Sequence, residues 1–292
     1  MSERPFGEED LGAFAEMCNA LEESLLGRPG KVDAKAVAGW LGRGSSLLIE
    51  DEEGPAAGVL VDVRGPLGIY GGVVHPRARG RGHGSRLVDF TEAWIEEQPA
   101  ERIHTWTVAG DSAADALFTS RGYREVRRFW DMAIGLAAEP PPPPVLEVET
   151  FSGEDADARA FHDALDEAFS DHWEHHSLGF DHWWQEKQAQ PDYDPSLWFV
   201  IRDRGEVVAA VRNDPDRHGG GYVGALGVRR QWRGQGYGKA LLQHSFREFH
   251  RRGQRRVSLG VDAASPTGAT RLYESVGMHV ELESIVYEKV LS

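Results

Sequence analysis

The sequence predicts an α+β fold that occurs twice in tandem, each copy a mixed and mostly antiparallel sheet flanked by helices. Three observations lead to this prediction. Strand-like and helix-like patterns follow one another in the same order in both halves, a glycine-rich segment at 74–87 recurs at 228–241, and a run of prolines separates the halves. Each half is long enough to bury a core of its own.

The proline run, Pro140–Pro144, marks the domain boundary. Proline lacks a backbone N–H donor, and consecutive prolines adopt a stiff polyproline II form that neither a helix nor a central strand accommodates. We interpret residues 139–145 as a semi-rigid linker between a first domain, 1–138, and a second domain, 146–292. A proline-rich motif that binds a partner domain is the alternative.

Two pairs of segments, in the same order, indicate a duplication. Val74–Leu87 and Val228–Leu241 share a valine, an arginine, three alternating glycines and a leucine in register. Further along, Ala114–Tyr123 and Ala269–Met278 share an alanine, a leucine followed by an aromatic residue, and a glycine. Self-similarity over such lengths is typical of repeated structural units.

The hydrophobic periodicity places matching elements in the two copies. In the first copy we predict helices at Asp10–Leu26, Ala34–Trp40 and Ser85–Glu97 and strands at Ser46–Glu50, Ala56–Val63, Gly68–Val74 and Ile103–Val108. In the second copy we predict helices at Ala156–Phe169, Phe180–Lys187 and Lys239–Arg251 and strands at Leu197–Arg202, Val207–Asn213, Gly221–Val228 and Arg256–Val261. A short helix and a final strand close each copy.

Composition excludes several classes of protein. The 292 residues carry a formal net charge of −15, which argues against broad nucleic-acid binding because that requires a cationic surface. Cys18 is the single cysteine, so an intramolecular disulfide and a cysteine-rich zinc site are excluded. Met1–Glu9 lacks the apolar core of a secretory signal, and no apolar run approaches the roughly 18 residues that span a bilayer. We therefore expect a cytoplasmic protein without a membrane partner.

The glycine segment between a strand and a helix is a predicted phosphate site. Glycines let the backbone turn so that successive N–H groups point into one concavity, and the following helix adds its positive dipole end. Arg233 and Lys239 add positive charge beside the second copy of this loop. The spacing fits neither a P-loop nor a dinucleotide fingerprint. A tight turn with packing glycines is the alternative, and the arginines of the first copy could form a solvated basic face.

Both repeated segments resemble motifs of the GCN5-related N-acetyltransferase (GNAT) superfamily: its pyrophosphate-binding loop, and a later motif written Asn-x-x-Ala-x-x-Leu-Tyr-x-x-x-Gly-Phe. Because both motifs occur twice, the resemblance covers nearly the whole chain. It implies a GNAT fold in each half and acetyl-CoA as the cosubstrate. The asparagine of the later motif is replaced here by Pro266, and Ser265 before it is a predicted helix N-cap.

The resemblance also implies where acetyl-CoA binds. The strand before the loop would pair with the pantetheine arm, the loop N–H groups would hold the pyrophosphate, and a small residue would let the last helix pass close by. The residues so assigned are Leu226, Gly227, Val228, Arg233, Gly234, Gln235, Gly236, Tyr237, Gly238, Lys239 and Ala269.

Acyl transfer to an amine requires a neutral amine, a stabilised oxyanion and a proton for the departing thiolate. A backbone N–H near Val228 could stabilise the oxyanion. The resemblance assigns the proton to Tyr273, because a phenol of pKa about 10 stays protonated at neutral pH. A tyrosine that only packs the last helix on the sheet is the alternative. Phe118 stands at this position in the first copy, so we expect that copy to be a degenerate, catalytically inactive GNAT domain.

The sequence leaves the general base undetermined. Asp262 follows the strand end at Val261, near where the amine should arrive. His172 lies in a loop between the first two helices and could accept a proton at neutral pH, or could be a surface residue. A metal site from His172, His175 and His176 is disfavoured, because these residues lack a clear carboxylate–histidine geometry.

Charge gives the only indication of the acceptor. Leu146–His218 contains 18 acidic and 6 basic residues, and an acidic cleft would attract a cationic amine, although solvated acidic helices are the alternative. The tandem arrangement is similar to that of the mycothiol synthase family, whose catalytic strand carries a glutamate where this chain has Tyr222. We expect an N-acetyltransferase for a small-molecule amine, acting as a monomer with an internal pseudo-dimer. The alternative is a non-catalytic acyl-CoA-binding regulator.

Overall fold

A computed structural model describes residues 1–38, 44–143, 147–174, 177–190 and 192–291. The chain forms two compact units: unit 1 comprises Met1–Phe129 and Leu282–Ser292, and unit 2 comprises Trp130–Glu281. The end of the predicted helix Ala34–Trp40, the last linker residues and two candidate metal ligands, His175 and His176, lie outside the described residues.

The elements confirm the predicted α+β order. In the first half of the chain they are β1 Ser2–Arg4, α1 Leu11–Leu26, α2 Ala34–Ala38, β2 Ser45–Asp51, β3 Gly54–Arg64, β4 Leu67–Val74, α3 His83–Glu96, β5 Arg102–Val108, α4 Ser112–Ser120 and β6 Arg124–Gly135. In the second half they are β7 Glu149–Thr150, α5 Asp155–Phe169, α6 Phe180–Gln188, β8 Phe199–Asp203, β9 Glu206–Asp214, β10 Gly221–Val228, α7 Tyr237–Arg251, β11 Arg256–Asp262, α8 Ala269–Ser275 and β12 His279–Val290.

The sheet of unit 1 has the strand order β1-β2-β3-β4-β5-β12. Its pairs are antiparallel except for β4 and β5, which run parallel and pair over Leu67–Ile69 and Arg102–His104. One apolar cluster packs α3 and α4 on the sheet, and another packs α1 and α2 on it. The glycine loop at 79–82 follows β4 and leads into α3.

The sheet of unit 2 has the corresponding order β7-β8-β9-β10-β11-β6. Strands β7 to β10 pair antiparallel, while β10 and β11 run parallel. The helices α5 and α7 both contact β9 and β10, and buried residues from both helices belong to one apolar cluster. This arrangement holds the second glycine loop between β10 and α7.

The last strands depart from the expected limits 1–138 and 146–292. β6 passes from unit 1 into unit 2 after Phe129, and β12 passes from unit 2 into unit 1 after Glu281. The physical reason is burial: Met132 and Leu136 belong to the core of unit 2, whereas Ile285 and Tyr287 belong to the core of unit 1. Each unit is thus completed by chain from beyond the proline run.

The last helix of unit 2 begins later than predicted. We expected Ser265 as its N-cap and Pro266 at its first position, but α8 begins at Ala269 after Gly268, whose φ is +72°. Asp262 explains the difference, because its carboxylate accepts the N–H of Ala264 (2.8 Å) and its carbonyl accepts the N–H of Ser265 (3.0 Å). These bonds commit the segment after β11 to turns instead of a helix.

The described part of the proline run forms neither helix nor strand. It is fastened to α7, since Arg247 donates to the carbonyl oxygen of Pro140 at 2.9 Å and pairs with Glu139 at 2.5 Å. None of the helices in the described ranges combines the length and apolar character needed to cross a membrane.

Candidate active site

Two parallel strands of unit 2 diverge, and the gap between them is the first feature of the site. β10 pairs with β11 at Gly221 and Tyr222, yet β10 continues to Val228. On its other side β10 stays paired with β9, with a bulge between Val223 and Ala225. Backbone groups of β10 past the bulge therefore border an opening instead of a paired strand. An extended amide-bearing ligand could pair with them.

The second glycine loop has the backbone shape of an anion-binding concavity. Gly234 and Gly236 have φ angles of +76° and +87°, a region that favours glycine. Within the described ranges, the N–H groups of Gly234, Gln235 and Gly236 donate to no protein acceptor. α7 begins directly afterwards, at Tyr237, so its first N–H groups add to the same concavity.

Arg233 serves this loop as an anchor. Its guanidinium donates to the carbonyl oxygens of Val228 (3.2 Å) and Ala168 (3.1 Å) and pairs with Asp171 at 3.1 Å. Its backbone N–H, expected to hold pyrophosphate, already donates to the Arg230 carbonyl at 3.4 Å. Hydrogen bonds from Arg230 and Arg233 lower the pKa of Asp171. The side chain therefore ties the loop to the strand before it and to the end of α5.

The other assigned residues surround the loop. Lys239 lies on the first turn of α7 and forms no ion pair with any described residue, so its charge is not neutralised by a neighbouring carboxylate. Gly238 allows a close approach of α8, because a Cβ there would lie 2.9 Å from the Leu272 side chain. Ala269, at the start of α8, is partly buried against the core, as are Leu226 and Tyr237.

Tyr273 is buried on α8, with 8% of its surface exposed. Burial, together with the nearby Tyr222 hydroxyl, raises the pKa of Tyr273 to about 12. Tyr222 is the last residue at which β10 and β11 pair. Because burial disfavours its anion, this phenol stays protonated at neutral pH.

Asp262 and His172 have different surroundings. Asp262 is buried at the end of β11, and one of its carboxylate oxygens accepts the Ala264 N–H. His172 follows α5, and its ring packs on Phe169 at 4.5 Å between centroids. No group of three or more metal-ligating side chains occurs among the described residues.

Sequence reasoning missed a cavity between α5, α6 and the bulge of β10. Its volume is about 240 Å³, and its apolar lining includes Leu165, Phe169, Leu178, Trp183 and Ala225. Gly224, inside the strand pattern, was the available signal, because glycine in a strand interior often marks a bulge. Gly224 and Ala225, at the bulge of β10, also line the cavity.

Unit 1 lacks several of these features. β4 pairs with β3 in continuous register, without a bulge. The ring of Trp106 covers Gly71 of β4, since a Cβ on that glycine would lie 2.7 Å from it. Phe118 takes the place of Tyr273 and packs against the rings of Tyr123 and Tyr287 at 5.7 and 5.2 Å. The chain thus presents one gap with a buried phenol and one without.

Comparison with known proteins gives two matches to one family model. The model described as the acetyltransferase (GNAT) family matches residues 15–123 and again residues 158–278. Each match contains one copy of the glycine loop and of the later motif. The family model therefore confirms the tandem duplication inferred from the repeated segments.

Proteins named mycothiol acetyltransferase are similar to this chain over most of its length. The chain is 31% identical over 227 residues to a mycothiol acetyltransferase of Thermobispora bispora, covering 74% of each chain. It is 33% identical over 221 residues to one of Streptomyces avermitilis, covering 74% of this chain and 69% of the relative.

Solved structures extend the likeness to the whole fold. A GCN5-related N-acetyltransferase from Sphaerobacter thermophilus has a TM-score of 0.86 and 35% identity, and the match covers 99% of this chain and 95% of that one. A tandem GNAT protein from the clavulanic acid biosynthesis pathway, 13% identical, has a TM-score of 0.74 over 99% of this chain and 98% of that one, and shares the fold.

Proposed function

Because this chain belongs to the acetyltransferase (GNAT) family and is an N-acetyltransferase, we propose that unit 2 alone moves an acetyl group from acetyl-CoA to a primary amine of a small molecule. The observation that carries this proposal is the buried phenol of Tyr273 on α8, in a unit whose strands β10 and β11 stop pairing after Tyr222. Unit 1 has Phe118 at that position and therefore no proton to give.

The proposed binding site of acetyl-CoA follows from the backbone N–H groups that have no acceptor among the described residues. The N–H groups of Gly234, Gln235 and Gly236 and the first turn of α7 would hold the pyrophosphate, with Lys239 supplying a positive charge. The pantetheine arm would lie along β10 at Leu226–Val228, where the strand borders the gap. Arg233 would keep the loop in place without touching the ligand.

Two bonds change in the proposed reaction. The amine nitrogen forms a bond to the thioester carbonyl carbon, and a backbone N–H of β10 beside the gap stabilises the oxyanion that results. The carbon–sulfur bond then breaks, and Tyr273 gives its proton to the leaving thiolate. Because burial holds the Tyr273 pKa near 12, the phenol is fully protonated at neutral pH and ready to donate.

The amine must lose a proton before or during the attack, and we propose Asp262 as the acceptor, directly or through one water. Its carboxylate is buried at the end of β11, the strand that forms the other side of the gap, and one oxygen is held by the Ala264 N–H. His172 is the second candidate, since it packs on Phe169 in the wall of the cavity. Asp262→Asn and His172→Gln distinguish the two, because the base variant loses rate mainly at lower pH.

Thiol release from acetyl-CoA, followed across a panel of small primary amines, tests the proposal. We expect the full chain to release thiol when an accepted amine is present and to release none without an amine. If acetyl-CoA binds but no amine in a broad panel releases thiol, the chain is an acyl-CoA-binding protein and the proposed reaction is wrong.

A further inference from the structure

The cavity between α5, α6 and β10 has the size and lining of a site for an aromatic ring. Its volume of about 240 Å³ exceeds the roughly 150 Å³ of an apolar cavity that binds benzene. Trp183 and Phe169 present ring carbons to it, and Leu165 and Leu178 add aliphatic surface. Leu178 is 43% exposed, an uncommon state for a large apolar side chain in the described part of this molecule.

The polar atoms of the lining are largely engaged within the protein. His162 has Nδ1 3.0 Å from an Asp163 carboxylate oxygen and Nε2 2.9 Å from the Leu178 carbonyl oxygen, so both ring nitrogens face acceptors. A ligand hydroxyl would have to displace one of these partners. Asp166 is the remaining ionisable side chain of the lining. The His162 ring therefore offers a polyhydroxylated ligand no unoccupied nitrogen.

Charged side chains of both signs lie at the end of the cavity that meets the β10 bulge. A Cβ on Gly224 would come within 3.0 Å of an Asp214 carboxylate oxygen and 2.4 Å of an Arg212 nitrogen, so these two side chains lie over the bulge. Arg212 and Asp214 pair at 2.7 Å. Arg217 also lies 3.8 Å from the Asp214 carboxylate, so the negative charge at the bulge is balanced, while Asp166 supplies a carboxylate in the cavity lining itself.

We propose that the acceptor is a primary arylalkylamine whose ring occupies this cavity, an inference that rests on the proposed acetyl transfer in unit 2. Aromatic side chains attract rings through edge and face contacts, which separates an aryl from an alkyl occupant of equal size. The Asp166 carboxylate of the lining favours a cationic amine.

A matched pair of amines tests the proposal. Saturation-transfer NMR with the full chain and CoA measures the dissociation constants of 2-phenylethylamine and ethanolamine, which differ by a phenyl ring against a hydroxyl group. We expect 2-phenylethylamine to bind roughly 30-fold more tightly, the gain from burying one aromatic ring. Thiol release should show a similar ratio of kcat/KM values.

Two variants test whether the preference for the aromatic amine arises at this cavity. Leu178→Ser should reduce this preference about 5-fold, because it removes apolar surface from the exposed rim with little effect on folding. Val280→Ser, which changes a 42% exposed apolar residue outside the cavity, should leave the preference unchanged. The ratio of the two amines does not depend on the fraction of active protein.

Equal binding of the two amines, tighter binding of glucosamine, or a preference that Leu178→Ser does not alter would overturn the aromatic acceptor. Each of these results leaves acetyl transfer itself intact if any amine releases thiol. Aryl-selective binding without thiol release from any amine would instead refute the proposed reaction while upholding the ring site.

Discussion

Arg79 pairs with Asp111 beside the glycine loop of unit 1, whereas Arg233, which stands at the position of Arg79 in unit 2, pairs with Asp171. Arg79 comes from the first glycine loop, and Asp111 caps the N-terminus of α4 by accepting the Ala114 N–H. The guanidinium makes two hydrogen bonds to the carboxylate, one of them 3.1 Å long. Both residues line a cavity of about 160 Å³ that also contains Phe118. We expect a pantetheine arm to enter this cavity only when the pair breaks.

The full chain should therefore bind one acetyl-CoA tightly. Asp111→Asn keeps the helix cap but removes the charge that holds Arg79, so a second, weaker binding event should be detected by isothermal titration. Asp51→Asn is the control, because Asp51 pairs with Arg77 and Arg81 instead of Arg79. Two equal sites in the unchanged protein would contradict this account of unit 1.

Removal of the Tyr273 hydroxyl should slow the reaction without affecting acetyl-CoA binding. Tyr273→Phe is expected to lower kcat roughly 100-fold, the usual loss for a general acid. Phe118→Tyr, the reverse change in unit 1, should leave turnover unaltered. Steady-state kinetics with titration of acetyl-CoA check both, and a full-rate Tyr273→Phe enzyme would show that water or another group protonates the sulfur.

The pH profile should lack an alkaline limb below about pH 11. The Tyr273 pKa is raised to about 12, so the proton-donating form persists as pH rises through the range in which an ordinary tyrosine ionises. Over the same range the amine acceptor loses its proton, which increases the nucleophilic fraction. The logarithm of kcat/KM should rise and then level off up to pH 10. A fall between pH 8 and 9.5 would identify a donor of lower pKa.

Because β6 ends in unit 2 and β12 ends in unit 1, the structure predicts which fragments of the chain fold. A fragment of residues 146–292 lacks Met132 and Leu136, two fully or almost fully buried residues of the unit 2 core. It should aggregate or melt well below the full chain, because the missing strand exposes apolar surface. A fragment of residues 130–292 restores that strand and should melt at a higher temperature. Calorimetry of the two fragments measures this difference in melting temperature. Equal melting temperatures would mean that β6 contributes little to the stability of unit 2.

Sequence reasoning recovered the features that short-range patterns encode. The glycine loop, the helix that begins after it and the position of Tyr273 follow from local spacing, and the structure has α7 and α8 on these segments. Strand exchange was missed because β6 and β12 carry similar patterns, and only their long-range burial distinguishes the partners. The predicted start of α8 was wrong because the Asp262 side chain accepts a backbone N–H of the segment before the helix and holds that segment in a turn. The cavity between α5, α6 and β10 combines three distant segments, which no single motif reveals.

The claim that unit 2 holds the working site is tested most directly by two matched glycine variants in the full chain. Gly82 and Gly236 precede the helix in their loops with φ angles of +85° and +87°, so aspartate imposes the same strain and the same negative charge on either loop. With acetyl-CoA and an accepted amine, Gly236→Asp should abolish thiol release, and Gly82→Asp should leave the rate within about two-fold. Loss of activity in Gly82→Asp with a normal rate in Gly236→Asp would place the reaction in unit 1 and contradict this account.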